Sequence, residues 1–387
     1  MTARPSRIDQ FISASDASDQ RLLGVFSLQK FLRARGYYSE VFVDGSARFP
    51  NEVTHPMASY ENFYKEEAMS IYHHSRGSNL PDFLLAFDLY RISILHELRP
   101  LILVSEAETP AEWHSLQLAY RQKKKVRILS NELWLPFESD PNTVGAEPPL
   151  HHQHRLVNWL PEYNSQSDSA LGHADVDKAL SSSKKTILSV APLSYDQGTH
   201  FLLQTLKLYT QHVKDDVRLV CVGIGNKAYQ KKVMRLCQEL ELTVASGMAE
   251  TYAERAHVIF QTTADAAQMN AIYKKSHIFA SCADFIANPY AVLFAFQAGL
   301  PVVGTQHPYL QAILGIENGL LIPKAPDPSA LVEAWAAALN QEALKKALSL
   351  ASKKRSSVYS QESQEQNMDR ELALSLSKFQ EFHLRKN

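Results

Sequence analysis

Short apolar runs alternate with amphipathic stretches along both halves of the chain. In the first half, the spacing of Leu22, Val25, Phe26 and Leu32 predicts a helix, and two more are predicted over 79–87 and 110–122. The apolar runs between them predict strands over 39–43, 70–73, 91–95, 101–104 and 126–129. Strands that alternate with helices are typical of a parallel sheet covered by helices on both faces.

The second half repeats this alternation. Strands are predicted over 186–190, 218–222, 257–260, 278–281 and 301–303, and helices over 198–210, 227–240, 264–275 and 291–298. Between 131 and 184 the periodicity fades and Pro, Ser, Asn, Asp and His dominate, which predicts an irregular domain end and a linker. We therefore expect one α/β domain over 1–180, a second over 181–360 and a C-terminal helix over 361–387.

Composition narrows the function classes. The chain has 387 residues, of which 45% are hydrophobic, so it can bury a large core. Its 40 Lys and Arg residues balance 41 Asp and Glu residues, which argues against dedicated nucleic-acid binding. Three cysteines are too few for a disulfide framework and favour a reducing cytoplasm. No apolar run approaches the roughly 20 residues of a membrane span, although the basic runs at 123–125 and 353–355 are compatible with peripheral contact with anionic lipid.

Four segments of the second half carry a family pattern. They are Ser-Val-Ala-Pro at 189–192 with Gln-Gly at 197–198, Leu-Val-Cys-Val-Gly-Ile-Gly at 219–225, the segment 271–279, and Phe-Ala-Phe-Gln-Ala-Gly-Leu-Pro-Val-Val at 294–303. Together they resemble the GT-B glycosyltransferases, particularly the retaining family 4 enzymes. Segments 72–78 and 95–100 of the first half are more weakly similar to the same family.

This resemblance implies an α/β GT-B architecture, with two Rossmann-like domains facing a central cleft and a last helix that returns to the first domain. It also implies a hexosyltransferase-type enzyme that transfers a sugar, with retention, from a nucleotide sugar to a glycan, lipid-linked or protein acceptor. Such a reaction needs no metal or other cofactor beyond the nucleotide diphosphate sugar. His151, His152 and His154 lack regularly spaced partner ligands, so a solvated loop is the favoured interpretation there.

The family's charged donor residues are replaced in this chain. The resemblance places an Arg and a Lys, which stabilise the diphosphate leaving group, at Pro192 and Gln197. Two sugar- and ribose-binding glutamates fall at Ile286 and Phe294, and Asp284 is the nearest acid. These replacements indicate weakened or lost transfer. The alternative function is therefore a catalytically inactive homologue that acts as a partner or acceptor-binding subunit of a second glycosyltransferase.

Candidate site residues follow from the motifs. His96 matches a family histidine that contacts the sugar, and we take it with Asp284 as the catalytic candidates. On the donor side, the turn with Gly223, Gly225 and Asn226 opens a helix, so its N–H groups and Lys231 could hold phosphate; a tight turn with solvated lysines is the alternative. The other donor-side candidates are Ser194, Gln197, Asn288 and Tyr290; for Asn288 and Tyr290, loop packing and entry into a helix after Pro289 is the favoured alternative.

On the acceptor side the candidates are Asp16, His73 and Ser75. Asp16 lies in a Ser- and Asp-rich segment before the first helix, where the family has an acceptor loop; helix capping by Ser18 or Asp19 is the alternative. His73 stands at a strand end, and the alternative there is a histidine that satisfies local structure.

Overall fold

A computed structural model shows the chain folded into two compact units. One comprises Met1–Glu162 with Tyr359–Asn387, and the other comprises Tyr163–Val358. The residues that the structure describes are 4–13, 21–44, 53–65, 67–74, 87, 89–95, 132–135, 153–155, 174–181, 183–213, 215–225, 227–262, 264, 266–283, 290–306, 308–315, 319–323 and 327–385.

The first unit is built on a parallel seven-stranded sheet of order β3-β2-β1-β4-β5-β6-β7. Its elements are β1 (Arg7–Ser13), α1 (Arg21–Ala34), β2 (Val41–Asp44), β3 (His55–Pro56), β4 (Ala68–His74), β5 (Tyr90–Leu95), β6 (Glu132–Leu135) and β7 (Gln153–Arg155). A turn of 3-10 helix over Met57–Asn62 follows β3.

Strand β1 lies between β2 and β4 and is buried on both faces. On one face Phe11 stacks on Phe42 with ring centroids 5.3 Å apart, and Tyr60 packs edge-on against Phe11 at 4.7 Å. Near the start of the strand, Arg7 donates two hydrogen bonds to the Asp9 carboxylate, at 2.6 and 2.7 Å, and both side chains are buried. The bidentate geometry gives each buried charge a partner, which is the condition under which a charge is tolerated inside a protein.

The second unit contains another parallel seven-stranded sheet, of order β10-β11-β9-β8-β12-β13-β14. In chain order its elements are α2 (Ala174–Ala179), β8 (Lys185–Val190), α3 (Thr199–His212), β9 (Val217–Val222), α4 (Lys227–Glu239), β10 (Val244–Ala245), β11 (Val258–Gln261), α5 (Ala266–Lys275), β12 (Ile278–Ser281), α6 (Tyr290–Gln297), β13 (Val302–Thr305), α7 (Pro308–Leu314), β14 (Gly319–Ile322), α8 (Pro328–Asn340) and α9 (Glu342–Val358). The predicted α/β class with two parallel sheets is confirmed.

Local chemistry explains where the later helices begin. The Asp327 side chain accepts the Ser329 N–H at 2.9 Å, and Pro328 occupies the first helical position of α8, where a missing N–H costs nothing. The buried face of α8 then brings Trp335 against Tyr209 of α3, with ring centroids 6.3 Å apart. Each such aromatic side chain contributes about 1.5–3 kcal/mol through burial.

The last helix, α10 (Gln361–Leu384), packs on the first unit. Its Phe379 is buried in the core that contains Ile8 and Ile92, and meets Tyr90 edge-on at 5.8 Å. At the helix surface, Arg35 donates two hydrogen bonds to Asp369, at 2.5 and 2.7 Å. The prediction that the last helix returns to the first domain is therefore confirmed.

Two sequence predictions need correction. The stretch 131–184 was predicted to be irregular, yet it contains β6, β7 and α2; both strands are short, and β7 is polar throughout, so its composition resembles a loop. Strand β1 was not predicted at all, because Arg7, Asp9 and Gln10 make it look like surface. The elements predicted over 101–104, 110–122 and 126–129 lie outside the described residues, as do the basic run 123–125 and all but the last residue of the helix predicted over 79–87.

Within the described ranges, no helix has the length and apolar character needed to cross a bilayer. In that same part of the chain, no three or more His, Cys, Asp and Glu side chains are grouped so as to hold a metal ion. Cys221, Cys237 and Cys282 are free thiols, and all three are buried.

Two histidines that directly precede strands β11 and β12 accept backbone hydrogen bonds that only a neutral imidazole can accept. Nδ1 of His257 accepts the Thr243 N–H, and Nδ1 of His277 accepts the Thr186 N–H, both at 3.1 Å. A protonated imidazole cannot accept these bonds. Burial, reinforced by nearby lysines, lowers the pKa of both histidines from the ordinary value of 6.5.

We predict that this unit loses stability as the pH falls from about 7.5 to about 5. The folded state binds fewer protons than the unfolded state, so the histidines' contribution is complete above their unfolded pKa and is lost as the pH falls toward the folded pKa. Over this pH range, the unfolding temperature of the double variant His257→Asn/His277→Asn should fall less than that of the wild type. Each asparagine keeps an acceptor oxygen near the position of the histidine Nδ1. The exposed His212→Asn is the control; an unchanged pH dependence in the double variant contradicts the prediction.

Candidate functional site

The loop after β8 is tied to the turn after β9. Just after β8, Ala191 donates its N–H to the carbonyl of Val222, the last residue of β9, at 3.0 Å. Two residues further along, Leu193 donates its N–H to the Ile224 carbonyl at 3.2 Å. An isolated parallel bridge joins Leu193 to Gly225. Both segments lie at the carboxyl ends of parallel strands, the edge at which open α/β sheets bind ligands.

This close approach requires two of the candidate glycines. At Gly223, with φ +153°, a Cβ atom would overlap the Ala191 carbonyl, and at Gly225 it would overlap the Leu193 carbonyl. The Gly223 N–H donates to the Gln261 carbonyl at 2.9 Å, so this amide already has a protein acceptor. Lys231 is exposed on the second turn of α4, whereas Asn226 lies outside the described residues. The geometry therefore gives both glycines a role in the close approach of the two segments, and phosphate binding at this turn stays a prediction.

The two positions at which the sequence resemblance places an Arg and a Lys differ in exposure. Pro192 is exposed, whereas Gln197 is buried at the end of a 3-10 turn over Tyr195–Gln197. The Ser194 N–H donates to the Pro192 carbonyl at 2.9 Å, which makes the loop turn sharply. Gly198 follows with φ +69°, and a Cβ there would overlap the Cys282 carbonyl after β12. The sharply turned loop thus presents neutral groups at both positions.

Helix α6 is buried along its length. Phe294, at the position of the second family glutamate, is buried among Tyr273 and Tyr290, with ring centroids 6.1 and 6.4 Å away. The candidate Tyr290 is itself buried, and burial raises the pKa of its hydroxyl. Asp284, Ile286 and Asn288 lie outside the described residues.

On the first sheet, His73 lies near the carboxyl end of β4. Its side chain is buried, and Nε2 lies 2.9 Å from Oε1 of Gln10 on the neighbouring strand β1. This contact fits the structural alternative, in which the histidine satisfies a buried polar neighbour. The remaining first-unit candidates, Asp16, Ser75 and His96, lie outside the described residues.

The structure also brings together three residues that sequence reasoning missed. The Tyr195 ring stacks on the His200 ring at 4.6 Å, and Tyr229 packs edge-on against both, at 6.4 and 6.3 Å. Tyr195 precedes Gln197 by two positions, but Tyr229 lies on the next helix along the chain. No spacing rule relates these three positions, so the sequence carried no signal for the cluster.

Comparison with known proteins identifies a family and several solved structures to which this chain is similar. Residues 174–355 match the profile of the family described as glycosyl transferases group 1. No curated protein sequence gives a significant match.

Solved structures match over nearly the whole chain at low identity. Sucrose-phosphate synthase from Thermosynechococcus elongatus is 14% identical, with a TM-score of 0.68 over 96% of this chain and 100% of that one. Anabaena HepE, solved in complex with UDP and glucose, is 12% identical, with a TM-score of 0.69 over 95% and 99%. A trehalose-phosphate synthase (UDP-forming) from Burkholderia xenovorans is 12% identical, with a TM-score of 0.67 over 95% and 100%. These are GT-B glycosyltransferases, and at such identities the likeness establishes the fold.

We predict that Gly223→Ala destabilises the second unit more than Gly247→Ala does. Both glycines have nearly the same φ, +153° and +155°, so both variants carry about 1–3 kcal/mol of backbone strain. At Gly247, however, the nearest atom to a new Cβ is Gln261 Oε1 at 3.7 Å, whereas at Gly223 it is a fixed carbonyl. Overpacking should add about another 1–3 kcal/mol at Gly223 only. Equal losses in denaturant unfolding contradict the close approach described above.

Proposed function

We propose that the protein transfers a sugar from a nucleotide diphosphate sugar, with retention of configuration. The proposal is supported by the match of residues 174–355 to the glycosyl transferases group 1 family and by the GT-B fold of the chain. The acceptor is a glycan, a lipid-linked sugar or a protein. The observation that carries this proposal is the loop 191–198, whose backbone is held at the carboxyl edge of the second sheet by Gly198, Gly223 and Gly225.

We further propose that transfer is slow. The leaving diphosphate gains negative charge as the sugar bond breaks, and preorganised positive groups are the usual means of stabilising it. Pro192 has no side-chain donor, and Gln197 offers a neutral amide. Lys227, Lys231 and Lys232 are exposed on the first two turns of α4. Each hydrogen bond to a charged group that is lost costs about 1.5–3 kcal/mol.

A second candidate function rests on α6. Phe294 is packed among aromatic rings at the position where the resemblance places the second of the two glutamates, which hold the sugar and the ribose. A buried aromatic residue in place of that carboxylate suits a catalytically inactive subunit that binds a second glycosyltransferase or an acceptor protein.

The full chain should be incubated with UDP-, GDP- and dTDP-sugars, with release of nucleotide and formation of product followed by NMR. We expect slow transfer or donor hydrolysis whose first product keeps the donor's anomeric configuration. UDP or GDP at about 5 mM should raise the unfolding temperature by mass action. No thermal shift and no turnover with any donor contradict the transferase proposal. An increase in the activity of a co-purified glycosyltransferase on addition of this chain then supports the second candidate.

Restoring one cation tests the charge argument. We predict that Pro192→Arg raises the affinity for the matching nucleoside diphosphate by about 10-fold or more, and that salt weakens the gain, because an exposed guanidinium regains a charged hydrogen bond. Pro192→Ala controls for loss of the proline ring. Pro323→Arg places the same charge at an exposed proline beyond β14, at the carboxyl edge of the same sheet.

Isothermal titration calorimetry with UDP and GDP measures these affinities. Equal gains in Pro192→Arg and Pro323→Arg, or a gain in Pro192→Ala, contradict a specific site at residue 192.

A further inference from the structure

An exposed aromatic ring stands on the loop that should hold the donor. Tyr195 begins the 3-10 turn after β8, three positions beyond Pro192, and 70% of its surface is solvent-exposed. Single exposed apolar side chains are common and need no explanation. What distinguishes Tyr195 is that another side chain stacks on one face of its ring.

One face of the Tyr195 ring is covered by His200. The two rings lie 4.6 Å apart and only 17° from parallel, and Phe201 contacts the imidazole at 4.3 Å. Since the side chain is still largely exposed, the open surface is its other face and its edges. The ring therefore presents one flat side to solvent and is backed on the other.

Hydrogen bonds fix the orientation of the backing ring. The His200 N–H donates to the Tyr229 hydroxyl oxygen at 3.3 Å, and the Thr199 side chain also hydrogen-bonds this hydroxyl. With its oxygen accepting, the Tyr229 hydroxyl donates to His200 Nδ1, 3.0 Å away. The imidazole is thus held by Tyr229 rather than free to rotate.

The imidazole is also neutral. Nδ1 accepts, so Nε2 carries the proton; Nε2 is buried and has no hydrogen-bond partner among the described residues. Burial lowers the pKa of His200, which keeps the ring uncharged at neutral pH. A neutral ring pair, fixed before any ligand arrives, loses little conformational entropy when a third ring stacks on it.

We propose that Tyr195 is the nucleobase-stacking residue of this protein and that its base contact replaces much of the binding energy of the lost diphosphate clamp. This inference rests on the proposed function, because it takes the ligand to be a nucleoside diphosphate sugar. A planar base fits a flat neutral ring and needs no charged neighbour, and every base has such a face. The position at the carboxyl edge of β8 is the edge at which open α/β sheets bind ligands.

The proposal has a consequence for ligand choice. If the base rather than the diphosphate supplies most of the affinity, a nucleoside should bind nearly as well as its diphosphate. Uridine and guanosine should therefore compete with UDP and GDP at similar concentrations, and added salt should change their affinities little.

The test uses the full chain and the variants Tyr195→Ala and Tyr195→Phe. Base stacking on an aromatic side chain is worth about 5- to 150-fold in affinity, so Tyr195→Ala should weaken uridine and UDP binding by such a factor while Tyr195→Phe retains it. Tyr252→Ala is the matched control, because Tyr252 is also an exposed tyrosine of the second unit, at 52%, on the connection between β10 and β11. Affinities are measured by calorimetry, and thermal unfolding without ligand checks that all three variants are folded.

The outcomes separate the two proposals. If the wild type binds UDP or GDP and Tyr195→Ala binds them equally well, the stacking inference is wrong and the transferase proposal stands. If nucleosides bind through Tyr195 but no donor is turned over, the stacking inference stands and the transferase proposal fails. Binding of free glucose, but of no nucleoside, through Tyr195 overturns the base assignment in favour of a sugar platform.

Discussion

The structure of the second unit depends on backbone segments that approach each other too closely for any side chain. The carbonyl oxygens of Cys282, Ala191 and Leu193 occupy the space where Cβ atoms of Gly198, Gly223 and Gly225 would be. These contacts hold the segments that follow β8, β9 and β12 against one another. The backbone of the loop 191–198 is consequently in contact with neighbouring segments at Ala191, Leu193 and Gly198.

The proposed replacement of two cations has a defined consequence at such a loop. Pro192 is exposed, and Gln197 is buried in a turn closed by backbone hydrogen bonds, so both neutral residues suit the fold. In the proposed reaction, their neutrality acts on the step in which negative charge develops, since transition-state stabilisation depends on preorganised charge and dipoles. The same arrangement suits slow transfer and a binding role, which is why the proposed experiments measure turnover and nucleotide binding separately.

Sequence reasoning succeeded where burial alone determines the pattern. β9 and β12 each carry a single polar residue in a largely apolar run, because parallel strands are covered on both faces. It failed at β1, where Arg7 and Asp9 are buried as an ion pair: each residue is typical of a surface, and only their mutual contact permits burial.

The candidate site shows the same division. The positions of Gly223 and Gly225 followed from their place between a strand and a helix, whereas their close contact with the preceding loop was visible only in the structure. The Tyr195, His200 and Tyr229 cluster was beyond prediction because it joins a loop and the starts of two helices through side-chain contacts. Local periodicity contains no information about which helix lies beside which loop, since tertiary packing decides that.

The last helix contacts residues that lie far away in the sequence, and a local sequence pattern could not predict those contacts either. Asp369 is 334 positions from its partner Arg35, and Phe379 completes a core begun by Ile8. Closing so long a segment costs chain entropy, but that cost grows only logarithmically with length, so a well-packed helix can offset it. The first unit therefore lacks part of its core until the second has been synthesised. A chain that is cut before residue 361 lacks this part of the first unit's core. The roles of the two units therefore have to be tested in the whole chain.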